Sequence, residues 1–399
     1  MPARGPGRRA AGLAAAAVAA SIVALPSTPV SASAGRGGGH GDYTTNCPRA
    51  ESLVAGTVWH KHTLAPGLTL KEGQHNDGRG FVRMHVLTVD LTNRHLMFAP
   101  LARKLAMRTP LSQLAAGRPQ LLAATNTGFF DFQYGAPLGP VVTRGQMIIG
   151  SAHPATVVGF GPTGLAQVGH VALAATVTSR SGSRPLAGLN LLHPPQGITA
   201  YTSRWGSEQV DTPRDAVARY VDNGVVTSGT GRYDGAPNSG YLLVARGQSS
   251  IDWLKSLNRG GATTVSQGVT SDTPKPFRQA YNVAAQIVAV GGRARTGMNC
   301  RTRYPQPART AIGILNHGHT LMLTFVDDDP GTAMHGLDAN QMARVMADLG
   351  ANQAYLFDGS GSTELLARFP SKPSALSLRT YLTDGEERPM PVGLGIFRR

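Results

Sequence analysis

Residues 337–363, LDANQMARVMADLGANQAYLFDGSGST, confine the fold more than any other stretch. Asp338 stands where a helix N-cap belongs and Gln341 follows three residues later, the spacing of a capping box. Met342, Val345, Met346 and Leu349 then recur on one helical face, and Gly350 supplies the stop. Almost at once come Tyr355, Leu356 and Phe357, large residues suited to a buried strand. A one-faced helix so close to a buried strand has to lie against a sheet, so the chain belongs with α+β folds. The strand breaks off at Asp358 into Gly359, Ser360, Gly361, Ser362 and Thr363. That break is either a tight turn or an anion site lined by backbone N–H groups, and the stretch alone leaves both open.

The same reading extends along the chain. FVRMHVLTVDL sets Val82, Met84 and Val86 against Arg83 and His85, a strand alternation. TPLSQLAAG predicts a short helix with Thr109 as N-cap, Pro110 in the first position and Gly117 as the stop. LLAATNTGFFDF predicts a buried strand ending at Asn126. ARYVDNGVVTSG predicts a hairpin about Asp222-Asn223-Gly224, GYLLVARG a buried strand and SSIDWLKSL a helix. TAIGILNHGHTLMLTFVD predicts a second hairpin, with His317-Gly318-His319 as its turn in preference to a metal site. No repeat or internal linker divides residues 54–399, which we read as one domain of mixed β-sheets with a few packed helices.

Residues 1–34 read as a signal peptide: Arg4, Arg8 and Arg9, an alanine-rich apolar run, then Ala32-Ser33-Ala34 for cleavage. Residues 35–53 read as a flexible mature N-terminus. No segment has the ~20 apolar residues of a membrane span, so the expectation is a secreted protein, extracellular or associated with the cell wall. The formal charge is +15. Its basic residues are dispersed, which argues against nucleic acid; an anionic wall polymer or phosphate-bearing substrate fits better, and a charge that serves solubility alone fits equally well. Cys47 and Cys300 are the two cysteines, and an oxidising compartment would join them. No cofactor motif occurs; a divalent cation and the oligomeric state stay open.

Three polar breaks end or begin apolar strands: Asn126 through Asp131, Arg309-Thr310, and Asp358 through Thr363. Loops at strand ends are where a scaffold displays functional groups. A guanidinium offers a planar fork to phosphate, and a carboxylate can serve as base or aim a water. In order, NTGFFD, PLGPVVTRG, RTAIGI, GLDANQM, LGANQAYLFDGSGST and ERPMPVGLGIF resemble the phosphodiester glycosidase family, over about residues 75–399. Thr127, Phe357 and Ser360 depart from that family's pattern, which has glycine, leucine and glycine there.

The resemblance implies hydrolysis of a sugar 1-phosphodiester at the anomeric carbon, releasing sugar and a phosphomonoester. Asp358, Asp131 and Arg309 are the expected catalytic residues. Asn126, Thr310, Gly359, Gly361, Ser362 and Thr363 are expected to bind substrate. Because phosphate leaves more readily than a sugar hydroxyl, the need for a strong general acid is reduced. Two other readings stand beside this one: a non-catalytic binder of anionic wall glycopolymers, and a serine hydrolase through Ser360 or Ser362, which lacks a Gly-x-Ser-x-Gly elbow.

Overall fold

A computed structural model describes residues 43–44, 50–161, 163–206, 210, 213–227, 236, 238–298, 300–301 and 306–399. The expected signal peptide lies outside these residues. So does most of the expected N-terminal tail, although Leu53, near its end, is already buried.

Among the described residues strand takes up 45 % and helix 9 %, so the α+β expectation holds for the kinds of element but overstates the helices. Three β-sheets carry the structure. In the eight-stranded sheet, strand Arg309–Leu315 lies between Gln353–Leu356 and Thr320–Val326, and the latter pairs on its other edge with Phe81–Asp90. A five-stranded sheet places Gly393–Arg398 between Leu96–Leu101 and Leu121–Asn126. An eleven-stranded sheet holds most of the middle of the chain.

Phe81–Asp90 is buried on both faces. Leu87 and Val89 join Ile312, Leu323, Phe325 and Phe357 in a core shared with Leu122, Leu365, Leu394 and Ile396 of the five-stranded sheet. Val82, Met84 and Val86 face the other way, against Met342, Val345 and Met346 of helix Ala339–Asp348. Both arms of the capping box at that helix are formed, Gln341 N–H to Asp338 at 2.8 Å and Asp338 N–H to Gln341 at 3.0 Å. Helix Gln248–Lys255 buries Trp253 and Leu254 in a separate core of the eleven-stranded sheet.

Both hairpins form as read. Asn223 and Gly224 have positive φ between their strands, and Asn316, His317 and Gly318 do the same in the turn before His319. The short helix differs: it is Leu111–Ala115 with Pro110, not Thr109, at the cap. Thr109 is instead drawn into a bridge with Met390, each donating its N–H to the other's carbonyl at 3.0 Å. His85, which the strand alternation placed with the polar face, is 2 % exposed.

Among the described residues no helix is long and apolar enough to cross a membrane. Tyr43–Thr44 pairs antiparallel with Cys300–Arg301, Thr44 opposite Cys300. Cys47, the other half of the expected disulfide, lies outside the described residues.

Candidate active site

Antiparallel register gathers the polar strand ends at one edge of the eight-stranded sheet. Arg309 pairs with Val326 and Ala311 with Leu356, so the start of one strand meets the ends of its two neighbours. Arg309, Asp327-Asp328 and Asp358 therefore share an edge. The five-stranded sheet brings Asn126 to the same place: Asn126 Nδ2 donates to the Asp358 carbonyl at 2.8 Å, and the Asp358 N–H donates to the Thr127 carbonyl at 2.9 Å.

Asn126 is 1 % exposed. Its Oδ1 accepts from Thr310 Oγ1 at 3.1 Å and from the Glu364 N–H at 3.4 Å. Thr310 also lies 3.3 Å from Thr363. These three side chains are buried and face one another, so their contacts join the two sheets behind the site. Thr127 fits its position through a hydroxyl that donates to the Val392 carbonyl at 2.9 Å.

The Asp358 loop wraps the backbone of Ala308. The Ala308 carbonyl accepts the Ser360 N–H at 2.8 Å, and its N–H serves Asp328. Ser360 has φ 54, the left-handed region that glycine enters most easily. The sequence departure at this position thus keeps the loop shape at some conformational cost. A side chain at Gly361 would strike Asp384 and Arg388, whose ion pair crosses directly over it. Arg388 Nε donates to Asp384 Oδ2 at 2.7 Å, Nη1 reaches Ser362 Oγ at 3.4 Å, and the guanidinium lies 5.3 Å above the Phe132 ring centroid.

Asp358 Oδ1 accepts the Gly359 N–H at 2.9 Å, while the buried Oδ2 has no hydrogen bond of good geometry. Burial raises this carboxyl above the usual range, against the opposing pull of Ser362, the Gly359 N–H, and the charges of Arg388 and Arg309. Burial also raises Asp328, helped by Asp327 and Asp384, although the Thr383 hydroxyl and the Ala308 N–H oppose it. Arg309 directs Nε to the Leu337 carbonyl at 2.8 Å. Its charge still reaches Asp358.

Asp131 sits on the neighbouring hairpin tip. Its Oδ1 accepts the backbone N–H groups of Gln133 and Tyr134 at 2.9 and 2.7 Å, so this carboxylate shapes its own turn. The link from that tip to the site runs through Phe132 and Arg388.

Two buried acid clusters adjoin the site. Glu364, 1 % exposed, meets Glu387, which accepts from Ser112 N–H and Oγ. Burial and the facing Glu387 push Glu364 up to about 10, so Glu364 keeps its proton at neutral pH. Behind Asp328, His85 bridges Glu72 and Asp327 at 2.9 Å each. Burial pulls His85 down, but those hydrogen bonds outweigh it and leave its pKa raised. Burial likewise raises Glu72, yet His85 and Arg379 bring it down to about 2.

Sequence reasoning missed Asp328, Asp384, Arg388, Glu364, Glu387 and His85. Asp328 had a signal: TFVDDD is a polar break at a strand end, like the three singled out. A cavity of about 460 Å³ lined by Ser112, Arg118, Leu366 and Arg368 contains none of the expected site residues. Arg368 is committed there to the carbonyls of Leu121 and Pro373, so the buried carboxylates are the better marker of a site.

The family model for phosphodiester glycosidases matches residues 214–397. This chain resembles the phosphodiester glycosidases. Arg309, Asp328, Asp358 and Arg388 fall within the matched span of the phosphodiester glycosidase model; Asn126 and Asp131 precede it. Among solved structures, a hypothetical protein from Synechocystis is similar with a TM-score of 0.68 at 21 % identity. That likeness covers 86 % of this chain and 64 % of the Synechocystis chain, under two thirds of its length. A Burkholderia pseudomallei K96243 protein named as exported gives 0.61 at 21 % identity, over 80 % and 74 % of the two chains. Both share the fold. The catalytic domain of zebrafish N-acetylglucosamine-1-phosphodiester alpha-N-acetylglucosaminidase gives 0.44 at 14 % identity, over 90 % and 89 %. No curated protein matches this chain.

Proposed function

We propose that the protein is a secreted hydrolase that cleaves a sugar 1-phosphodiester at the anomeric carbon. The products are free sugar and a phosphomonoester, and the substrate belongs to a cell-wall or extracellular glycopolymer. The observation that carries this reading is Asp358: a buried carboxylate with one unengaged oxygen, in the field of Arg309 and Arg388. Two guanidinium groups suit a phosphodiester monoanion and the charge that grows on it as the C1–O bond breaks. Asp358 then takes the proton of an attacking water, or attacks C1 itself before water releases the sugar. In either route the water oxygen ends on C1 and one water proton reaches the phosphate.

Gly359 and Gly361 keep the loop close to the strand ends, and Ser362 fixes Asp358 and Arg388 together. Asn126, Thr310 and Thr363 act as positioning residues in this scheme, through their buried contacts. Asp131 is the candidate second carboxylate. Likeness to a protein named as exported supports secretion.

The test is a panel of chromogenic sugar 1-phosphodiesters, run with chelator and with added magnesium, beside a pull-down on purified wall polymer. Turnover supports the hydrolase. Polymer binding with no turnover on any diester sinks it in favour of the non-catalytic binder. Asp131→Asn keeps the turn-forming acceptor and removes the charge, so a fall of about 100-fold or more assigns Asp131 to the chemistry.

A further inference from the structure

Three aromatic side chains among the described residues are exposed: Phe132 at 46 %, Tyr134 at 43 % and Tyr381 at 36 %. They come from two distant parts of the chain, residues 132–134 and residue 381, and Phe132 and Tyr381 both contact groups at the candidate site. Phe132 lies under the Arg388 guanidinium, and Tyr381 hydrogen-bonds Asp329, next to Asp328. Leu138, 55 % exposed, shares the hairpin tip with Phe132 and Tyr134.

That tip is held firmly. Asp131 N–H donates to the Ala136 carbonyl and Gly135 N–H to the Asp131 carbonyl, both at 2.8 Å. Leu138 N–H donates to the Phe129 carbonyl at 2.9 Å, and Asp131 Oδ1 takes the two amides between. Large apolar side chains kept in water on a braced support mark a place where something docks.

We propose that Phe132, Tyr134, Leu138 and Tyr381 form a carbohydrate platform for the sugar units beyond the one whose phosphodiester is cleaved. The occupant follows from continuity. The rim touches Arg388 and the strand-end acids, so the molecule resting on it is the one held at the site. Aromatic rings offer flat apolar area at small entropic cost, with a hydroxyl on Tyr134 and Tyr381 for polar edges. A pyranose has the matching form, a C–H face ringed by hydroxyls. The proposal rests on the hydrolase reading and narrows it to glycan chains over single-sugar diesters.

The test compares a methyl phosphodiester of one sugar with the same diester at the reducing end of its pentasaccharide. Tyr134→Ala is expected to raise KM for the pentasaccharide at least about fivefold more than for the single sugar, with kcat little moved. Tyr134→Phe should restore most of the loss, which a misfolded tip would not allow. Equal KM changes on both substrates, or none, overturn the platform. If the wild type cleaves neither substrate, the hydrolase reading has failed by itself. The platform is then judged by calorimetric binding of the free pentasaccharide: binding that Tyr134→Ala weakens sustains it, and no binding overturns it. A shift from dimer to monomer on Tyr134→Ala with an unchanged KM ratio would mean the rim seats a second copy, which also overturns it.

Discussion

Glu364→Gln is the sharpest probe of the structure, because it swaps a buried acid for an isostere of its protonated form. In the folded protein Glu364 is pushed up to about 10 from an ordinary value of 4.5. Between those values the folded state holds a proton that the unfolded state has released. Stability is then fully present below the unfolded pKa and is lost as pH rises towards the folded one. One proton corresponds to about 1.4 kcal/mol per pH unit. Glu387 is lowered, since hydrogen bonds from Glu364 and Ser112 overcome its own burial, so its titration is complete below its ordinary value. Above about pH 5 the difference between wild type and variant belongs to Glu364 alone. From about pH 5 to about pH 8 the wild type should lose about 4 kcal/mol relative to Glu364→Gln. Urea unfolding of both proteins across that range, followed by circular dichroism, reads the difference directly. Parallel stability–pH curves would refute the proton retained on Glu364, and a variant less stable than the wild type even at pH 5 would refute the isostere argument.

Asp358→Asn should cut turnover by about 100-fold or more while leaving KM within a few fold; a loss under about tenfold removes Asp358 from the chemistry. The acid limb of the wild-type pH–rate profile should sit above the ordinary aspartate range, since Asp358 acts ionised and burial raises it. Ser360→Gly should relieve the left-handed backbone and stabilise the protein by up to about 1 kcal/mol, measured by thermal unfolding; destabilisation would mean the serine side chain makes a contact worth more than the strain. Non-reducing peptide mapping should find Cys47 joined to Cys300, a closure worth on the order of 5 kcal/mol in the loop-entropy account, and two free thiols would remove the bridge.

Local signals made the fold's parts readable. The Asp338–Gln341 box, the apolar face through Met346, and the turns at Asn223 and His317 all depend on residues within a few positions of one another. The helix cap at Thr109 misled because its backbone is claimed by Met390, a partner nearly three hundred residues away. His85 misled for the same reason: alternation gives the face of a side chain, but not that Glu72 and Asp327 await it there. At the site, Asn126, Arg309 and Asp358 were legible as polar breaks in apolar strands. Arg388 was not, since its partners Asp384, Ser362 and Phe132 meet it only after two sheets have been joined.

The position of strand Gly393–Arg398 has a consequence for when the protein first becomes competent. It is an interior strand of its sheet, with Gly393 opposite Asn126 and Leu394 opposite Pro100. Until residues 393–398 have been synthesised, Leu96–Leu101 and Leu121–Asn126 have no strand between them, and Asn126 lacks half the frame that carries it to Asp358. Pairings of such long sequence separation form slowly and late. A nascent chain therefore has no assembled candidate site until its Gly393–Arg398 strand is in place, and clipping of those few residues would disrupt that site without touching any group in it.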